Sequence, residues 1–70
     1  MIFTEAVKLA FEGAKISRAW WASEHYVEVA EESGWLMIVC ELPAPHKRVY
    51  YGVFHLGRDN FEATDWEVRQ

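Results

Sequence analysis

One cysteine, two prolines and four scattered glycines are all that these 70 residues contain of the amino acids that most often shape small folds. Cys40 stands alone, which excludes a disulfide framework. No glycine-rich loop of the kind that cradles phosphates is present. The three histidines and Cys40 show none of the close paired spacings of a metal site, so we expect neither a bound metal nor a cofactor.

Positive charge is also scarce, with seven basic residues against eleven acids and a net charge of −4. A chain of this balance is not expected to bind DNA, RNA or an anionic membrane through long-range attraction. No run approaches the roughly 18 apolar residues of a membrane span, and the first residues do not resemble a secretory leader. Together with the unpaired cysteine, this predicts a cytoplasmic protein.

Recognisable catalytic motifs are missing as well. There is no nucleophile elbow, and Ser17, Ser23 and Ser33 have no evident triad partners. The sequence therefore favours a binding protein, and we expect no catalytic residues.

Aromatic side chains, in contrast, are abundant. The chain is 51% hydrophobic and carries four Trp, three Tyr and four Phe. A single domain of this length, spanning residues 1–70, buries only about 60% of the surface that its unfolded chain exposes. Some of the eleven rings must then line a pocket or a subunit interface, so we expect a homo-oligomer.

The pattern at the start of the chain predicts an amphipathic helix. Thr4 is the expected N-cap, and Gly13 is expected to end the helix in a left-handed conformation. The apolar stripe that should face the core consists of Phe3, Val7, Ala10, Phe11 and Ala14.

Strand signals dominate the rest of the chain. Strands are predicted at residues 15–21, 26–31, 35–42, 49–55 and 65–69, with a helical turn at 60–64 and a loop at 43–45. The nearly continuous apolar run at 35–42 indicates a strand covered on both sides. The expected class is α+β, with the N-terminal helix packed on a small, mostly antiparallel sheet of four or five strands.

Two segments at opposite ends of the chain resemble one family. Residues 3–7 (FTEAV) continue into 13–21 (GAKISRAWW), and residues 63–68 read ATDWEV. This combination resembles the second Thoeris anti-defence family of phage and prophage proteins, which opens with a helix and a stretch like Gly-Lys-x-x-Arg-x-x-Trp and closes with Ala-x-Asp-Trp-Glu. Phe54 and Leu56 stand where that family often has Trp and Pro.

The resemblance implies a function in sequestration. Family members form homotetramers and bind cyclic nucleotide-derived immune signals, chiefly cyclic ADP-ribose derivatives and in some cases cyclic dinucleotides, without cleaving them. A member would act in the cytoplasm of the infected bacterial host. It would need no cofactor.

The candidate ligand-binding residues have chemistry that suits a nucleotide. A base needs flat surfaces for stacking, phosphates need cations, and ribose hydroxyls need acceptors. The candidates are Arg18, Trp20, Trp21, Tyr26, Phe54, Arg58, Thr64 and Asp65.

Several of these residues also have structural interpretations. If Trp20 and Trp21 lie on a strand, they face opposite sides, and the resemblance favours Trp21 as the pocket residue. Arg18 and Arg58 could clamp a phosphate or form surface ion pairs. Asp65 could accept a ribose hydroxyl or cap backbone N–H groups.

Two other functions remain open at this point. The exposed aromatics could bind a host protein, which would make the chain a protein-interaction module. A small hydrolase or lyase that acts on such signals is a third alternative, although no motif argues for it.

We expect the chain to assemble in solution, because one copy cannot bury eleven rings. Multi-angle light scattering at micromolar concentration should give a mass that is a multiple of the 8.2 kDa of one chain. A monomeric mass would remove the argument from surplus aromatic surface.

Overall fold

A computed structural model describes residues 1–42 and 47–69, and the predicted loop at 43–45 lies outside them. Helix α1 spans Phe3–Phe11, strand β1 Lys15–Arg18, β2 His25–Val29, β3 Leu36–Leu42 and β4 Lys47–Val53. Helix α2 spans Arg58–Glu62 and strand β5 Trp66–Arg69. Within the described residues the strands form one antiparallel sheet in the order β4-β3-β2-β1-β5. The expected α+β class is confirmed.

Helix α1 begins one residue before the predicted cap. Ile2 is the N-cap residue and has no side-chain hydrogen bond to offer, while Thr4 lies within the first turn. The prediction that the Thr4 hydroxyl caps the helix is therefore wrong. The Glu5 carboxylate instead accepts a hydrogen bond from the Ile2 N–H at 3.4 Å, and its charge suits the positive end of the helix dipole.

The C-terminus of α1 is as predicted. Glu12 follows the last helical residue, and Gly13 adopts a φ of 105°. This left-handed conformation is strained for residues that carry a Cβ, so glycine suits the position.

The core lies between α1 and one face of the sheet. Helix α1 packs against β1, β2, β5 and α2. Its buried positions are Phe3, Ala6 and Ala10, which lie on one side of the helix. Phe11 was predicted to join them but is 61% exposed, because it is turned by about 100° from Ala10. From the sheet, Ile16 and Val27 meet the helix as a cross-strand pair, each fully buried.

The opposite face of the sheet is covered by long polar side chains. Tyr26 and Val39 are paired across β2 and β3 and are both buried. The ammonium group of Lys15 lies 5.0 Å from the centre of the Tyr26 ring and reaches Glu41 at 3.6 Å. Arg48 forms an ion pair with Glu28 on the same face. The prediction that the third strand is covered on both sides holds only for Val39 and Cys40, since the preceding residues of β3 are half-buried.

An irregularity in β4 changes which side its residues face. Val39 pairs with Tyr50, whereas Ile38 pairs with Gly52, so Tyr51 is an extra residue in the ladder. Gly52 has a φ of 146°, which a residue with a side chain rarely adopts. Beyond the bulge the chain continues to Phe54, which is buried in the core beneath α1.

Neither of the helices in the described ranges has the length and hydrophobicity that a bilayer crossing requires.

A matched pair of substitutions tests where the core lies. Ile16→Val removes one methylene from a fully buried site and should lower the free energy of unfolding by about 1 kcal/mol. Ile2→Val makes the same change where the side chain is 48% exposed, and it should lower stability by less than about 0.5 kcal/mol. Urea denaturation gives both values, and equal losses would contradict this core.

Candidate functional site

The connection from β1 to β2 is a pair of tight turns that carries both adjacent tryptophans. The Trp21 N–H donates to the Arg18 carbonyl at 3.1 Å, and the His25 N–H donates to the Ala22 carbonyl at 3.0 Å. Strand β1 was predicted to continue to residue 21, but it ends at Arg18. Trp20 and Trp21 therefore do not alternate across a strand, and both reach the same cleft.

This aromatic cleft has a volume of about 300 Å³. Its lining consists of Trp20, Trp21, Ala22, His25 and Ile38.

The two indoles of the cleft stand nearly at right angles, with an interplanar angle of 86° and ring centres 6.3 Å apart. Trp20 is 70% exposed. Trp21 is half-buried and packs edge-on against Trp66, with ring centres 5.6 Å apart. The cleft thus has one wall supported by the core and one wall that faces solvent.

His25 contributes to the cleft and also to a second hollow beside it. That polar hollow, of about 520 Å³, is lined by Ser23, Glu24, His25, Cys40, Glu41, Leu42 and Tyr51. The His25 and Tyr51 rings lie 6.0 Å apart. Interaction of the Tyr51 hydroxyl with the side chain of Cys40 raises the pKa of Tyr51 above that of a free phenol. Sequence reasoning considered His25 only as a metal ligand. Its spacing of two residues from Val27 could have indicated that both side chains face the helix side of the sheet.

Arg18 lies at the edge of the cleft, on the side of Trp20. Its guanidinium carbon is 5.7 Å from the centre of the Trp20 ring and 6.0 Å from that of Trp66. Its Nε donates to the carboxylate of Asp65, and its Nη1 donates to the side-chain oxygen of Asn60 at 2.7 Å. Its side chain is 15% exposed.

The Arg18–Asp65 pair gives both residues a structural role. Of the two interpretations of Arg18 from the sequence, the structure shows an ion pair, and its partner is the aspartate of the closing motif. The Asp65 carboxylate binds the Arg18 guanidinium. This ion pair takes the place of the backbone N–H capping that the sequence offered as one interpretation of Asp65. Two of the five N–H donors of the guanidinium are used in these contacts, which leaves donors for an anion at the rim.

Arg69 holds the turns of the cleft from the opposite side, and sequence reasoning did not identify it. Its Nη1 donates to the carbonyl oxygens of His25 at 3.2 Å and Ala22 at 3.4 Å, and its Nη2 donates to that of Ser23. These bonds connect β5 to the segment that carries the cleft. A basic residue near the end of the last strand was the only sequence signal.

The structure does not bring the other four predicted residues to the cleft. Tyr26 is buried on the opposite face of the sheet, and Phe54 lies in the core with its ring centre 6.1 Å from that of Trp66. Arg58 begins α2 and pairs with Glu62 at 2.9 Å in an exposed position. Thr64 is exposed, and its carbonyl oxygen accepts a hydrogen bond from the amino group of Met1 at 3.2 Å.

No cluster of three metal-ligating side chains occurs among residues 1–42 and 47–69. Comparison with protein-family models, curated proteins and solved structures finds no match to this chain.

Two substitutions to lysine test the structural role of Arg18. Arg18→Lys keeps the charge but cannot bond Asp65 and Asn60 together, so it should lower the free energy of unfolding by about 1 kcal/mol or more. Arg58→Lys breaks an exposed pair whose side chains are 86% and 59% accessible, and it should cost less than about 0.5 kcal/mol. If urea denaturation gives the same midpoint for both variants, the pair at the cleft edge contributes no more than a surface pair.

Proposed function

We propose that this protein binds cyclic nucleotide-derived immune signals and holds them intact, so that bacterial anti-phage effectors do not receive them. The ligands are cyclic ADP-ribose derivatives, with cyclic dinucleotides as a further class. The motivating sequence observation is the resemblance of the two end segments to the second Thoeris anti-defence family. The observation that carries the proposal is the aromatic cleft, with Arg18 at its edge.

The cleft offers the surfaces that a nucleobase needs. Stacking of a base on an aromatic side chain contributes about 1–3 kcal/mol, and Trp20 and Trp21 present two such rings at right angles. A volume of about 300 Å³ lies at the lower limit of small-molecule sites. One base therefore fills it, and the rest of a cyclic ligand has to lie outside.

The charges around the cleft favour a small anion over a polymer. The guanidinium of Arg18 is held in place by Asp65 and Asn60, so it loses little side-chain entropy on meeting a phosphate. The chain as a whole carries a net charge of −4, which disfavours DNA and RNA.

Assembly is part of the proposal. All eleven aromatic rings of the chain belong to residues that the structure describes. Six of them are exposed on the single chain. They are Phe11, Trp20, Trp35, Tyr50, Tyr51 and Phe61. A homo-oligomer would cover part of this surface, and the resemblance implies a tetramer in the cytoplasm of the infected host, with ligand between subunits.

Protein recognition is the second candidate function. Phe11, Trp35 and Phe61 do not line the cleft and are 61%, 61% and 55% exposed. Exposed aromatic side chains of this kind are typical anchors of protein interfaces. Capture of a defined host protein from lysate, together with native mass spectra free of nucleotide, would favour this alternative.

Calorimetric titration tests the proposed function with cyclic ADP-ribose, glycocyclic ADP-ribose and a panel of cyclic dinucleotides. We expect saturable binding by at least one of them, and recovery of the unmodified ligand after the protein is denatured. Trp21→Ala should weaken binding at least about fivefold because a stacking surface is lost. His55→Ala, which removes an exposed ring outside both the cleft and this aromatic surface, is the control and should leave affinity unchanged.

Two results would count against this function. Absence of heat with every ligand, at concentrations where the protein is assembled, removes the binding activity. Chromatographic appearance of a cleaved product would replace sequestration by a hydrolase or lyase.

A further inference from the structure

The lining of the aromatic cleft presents very few polar atoms to a ligand. Nitrogen and oxygen contribute almost nothing to the surface that its five lining residues turn towards the cleft. Its walls are therefore carbon surfaces, chiefly those of Trp20, Trp21 and Ile38. Small-molecule sites usually add a few placed polar groups that recognise one particular ligand, and this cleft lacks them.

The backbone of the turns that carry the cleft is already engaged within the protein. The N–H of Trp21 donates to the carbonyl of Arg18 at 3.1 Å. The carbonyl of Ala22 accepts from the N–H of His25 at 3.0 Å and from the guanidinium of Arg69 at 3.4 Å. The guanidinium of Arg18 lies at the edge of the cleft and not in its lining. Recognition of a base by hydrogen bonds has no support from these groups.

A base that enters such a cleft has to keep its polar edge in water. Burial of donors and acceptors against carbon surfaces without a partner is costly. The cleft permits an exposed edge, because the Trp20 wall is itself 70% accessible to solvent. The faces of the base can then stack while its edge stays hydrated.

The two indoles set which property of the base is measured by binding. Trp20 and Trp21 form a corner with an interplanar angle of 86°, so one indole meets the face of a bound ring and the other meets its side. Adenine and guanine share the same fused rings and differ in the groups on the six-membered ring. When those groups remain in water, both purines make the same contacts. A pyrimidine has a single ring and covers less of the indole surface.

We infer that the cleft selects a purine by the area of its fused rings and not by hydrogen bonds to its edge, so that adenine-based and guanine-based cyclic signals are held alike. This inference rests on the proposed function, since it concerns the same site. Sites that separate similar ligands strongly do so because a buried polar group is left unpaired when the wrong ligand enters. This cleft presents almost no polar surface that could be left unpaired.

The test measures dissociation constants by calorimetry on the wild-type protein. Cyclic di-AMP, cyclic di-IMP and cyclic di-GMP carry the same fused rings with different edge groups, and their dissociation constants should agree within about threefold. Cyclic di-UMP, with the same linkages and single rings, should bind at least about fivefold more weakly. Cyclic ADP-ribose and its inosine analogue with the same ring closure form a second pair, which should also agree within about threefold.

Two variants test the same rule from the side of the protein. Trp21→Phe reduces the stacking surface, so it should weaken every purine ligand at least about twofold and by the same factor. His25→Phe replaces the imidazole of the lining by a carbon ring, and it should leave the purines within about threefold of one another. His55→Ala is the control outside the cleft and should leave each dissociation constant unchanged. Circular dichroism checks that each variant is folded.

The outcomes separate this inference from the proposed function, and the wild type alone decides both. If the purine ligands of one class differ by more than about threefold, or if cyclic di-UMP binds as tightly as they do, selection by ring area is overturned while sequestration stands. If the folded wild type binds none of these ligands, the proposed function fails and the selection rule fails with it.

Discussion

The buried indole of Trp66 is the contact on which the rest of this small fold depends. It is 1% exposed, and its ring lies 5.3 Å from Phe3 of α1, 6.1 Å from Phe54 and 5.6 Å from Trp21 of the cleft, measured between ring centres. Its Nε1–H donates to the carbonyl oxygen of Asn60 in α2 at 2.8 Å. A single side chain thus joins both helices, the segment after β4 and the cleft. In a domain that buries a limited share of its surface, a large aromatic side chain with a satisfied N–H supplies a substantial part of the apolar contact in the core.

The aromatic cleft depends on this centre from two directions. Trp21 is supported directly by the Trp66 ring, and Arg18 is fixed by Asp65, the neighbour of Trp66 in sequence. The side chain of Arg69 in β5 adds a third connection, because it donates hydrogen bonds to carbonyl oxygens of the turns that carry the cleft. Binding surfaces that are held in this way lose little conformational entropy when a ligand arrives. Of these supports, Trp20 has only the cation–π contact with Arg18. It is therefore the wall of the cleft with the most freedom to adapt.

Much of this fold could be predicted from local patterns, whereas the site could be predicted only in part. The helix end at Gly13 and the five strands follow from turn residues and alternation, which act over a few neighbours. The pairing of Arg18 with Asp65 spans 47 residues and depends on β1 and β5 being neighbours, which no local pattern reveals. Tyr26 and Phe54 were chosen as ligand contacts because their rings suit a base, but burial depends on what covers them. His25 was missed because a solitary histidine in a sequence gives no indication that two indoles will face it.

The bulge in β4 has a consequence for how the chain can vary in length. Tyr50 and Phe54 are four residues apart, so in a regular strand they would point to the same side. The extra residue at Tyr51 reverses the alternation, so that Tyr50 lies over the polar face while Phe54 enters the core. Removal of the extra residue would restore a straight ladder and leave Phe54 on the core side, because residues three apart in a regular strand point to opposite sides. Homologous chains that lack the bulge should therefore be one residue shorter between these two rings, and chains that keep the bulge should retain the four-residue spacing.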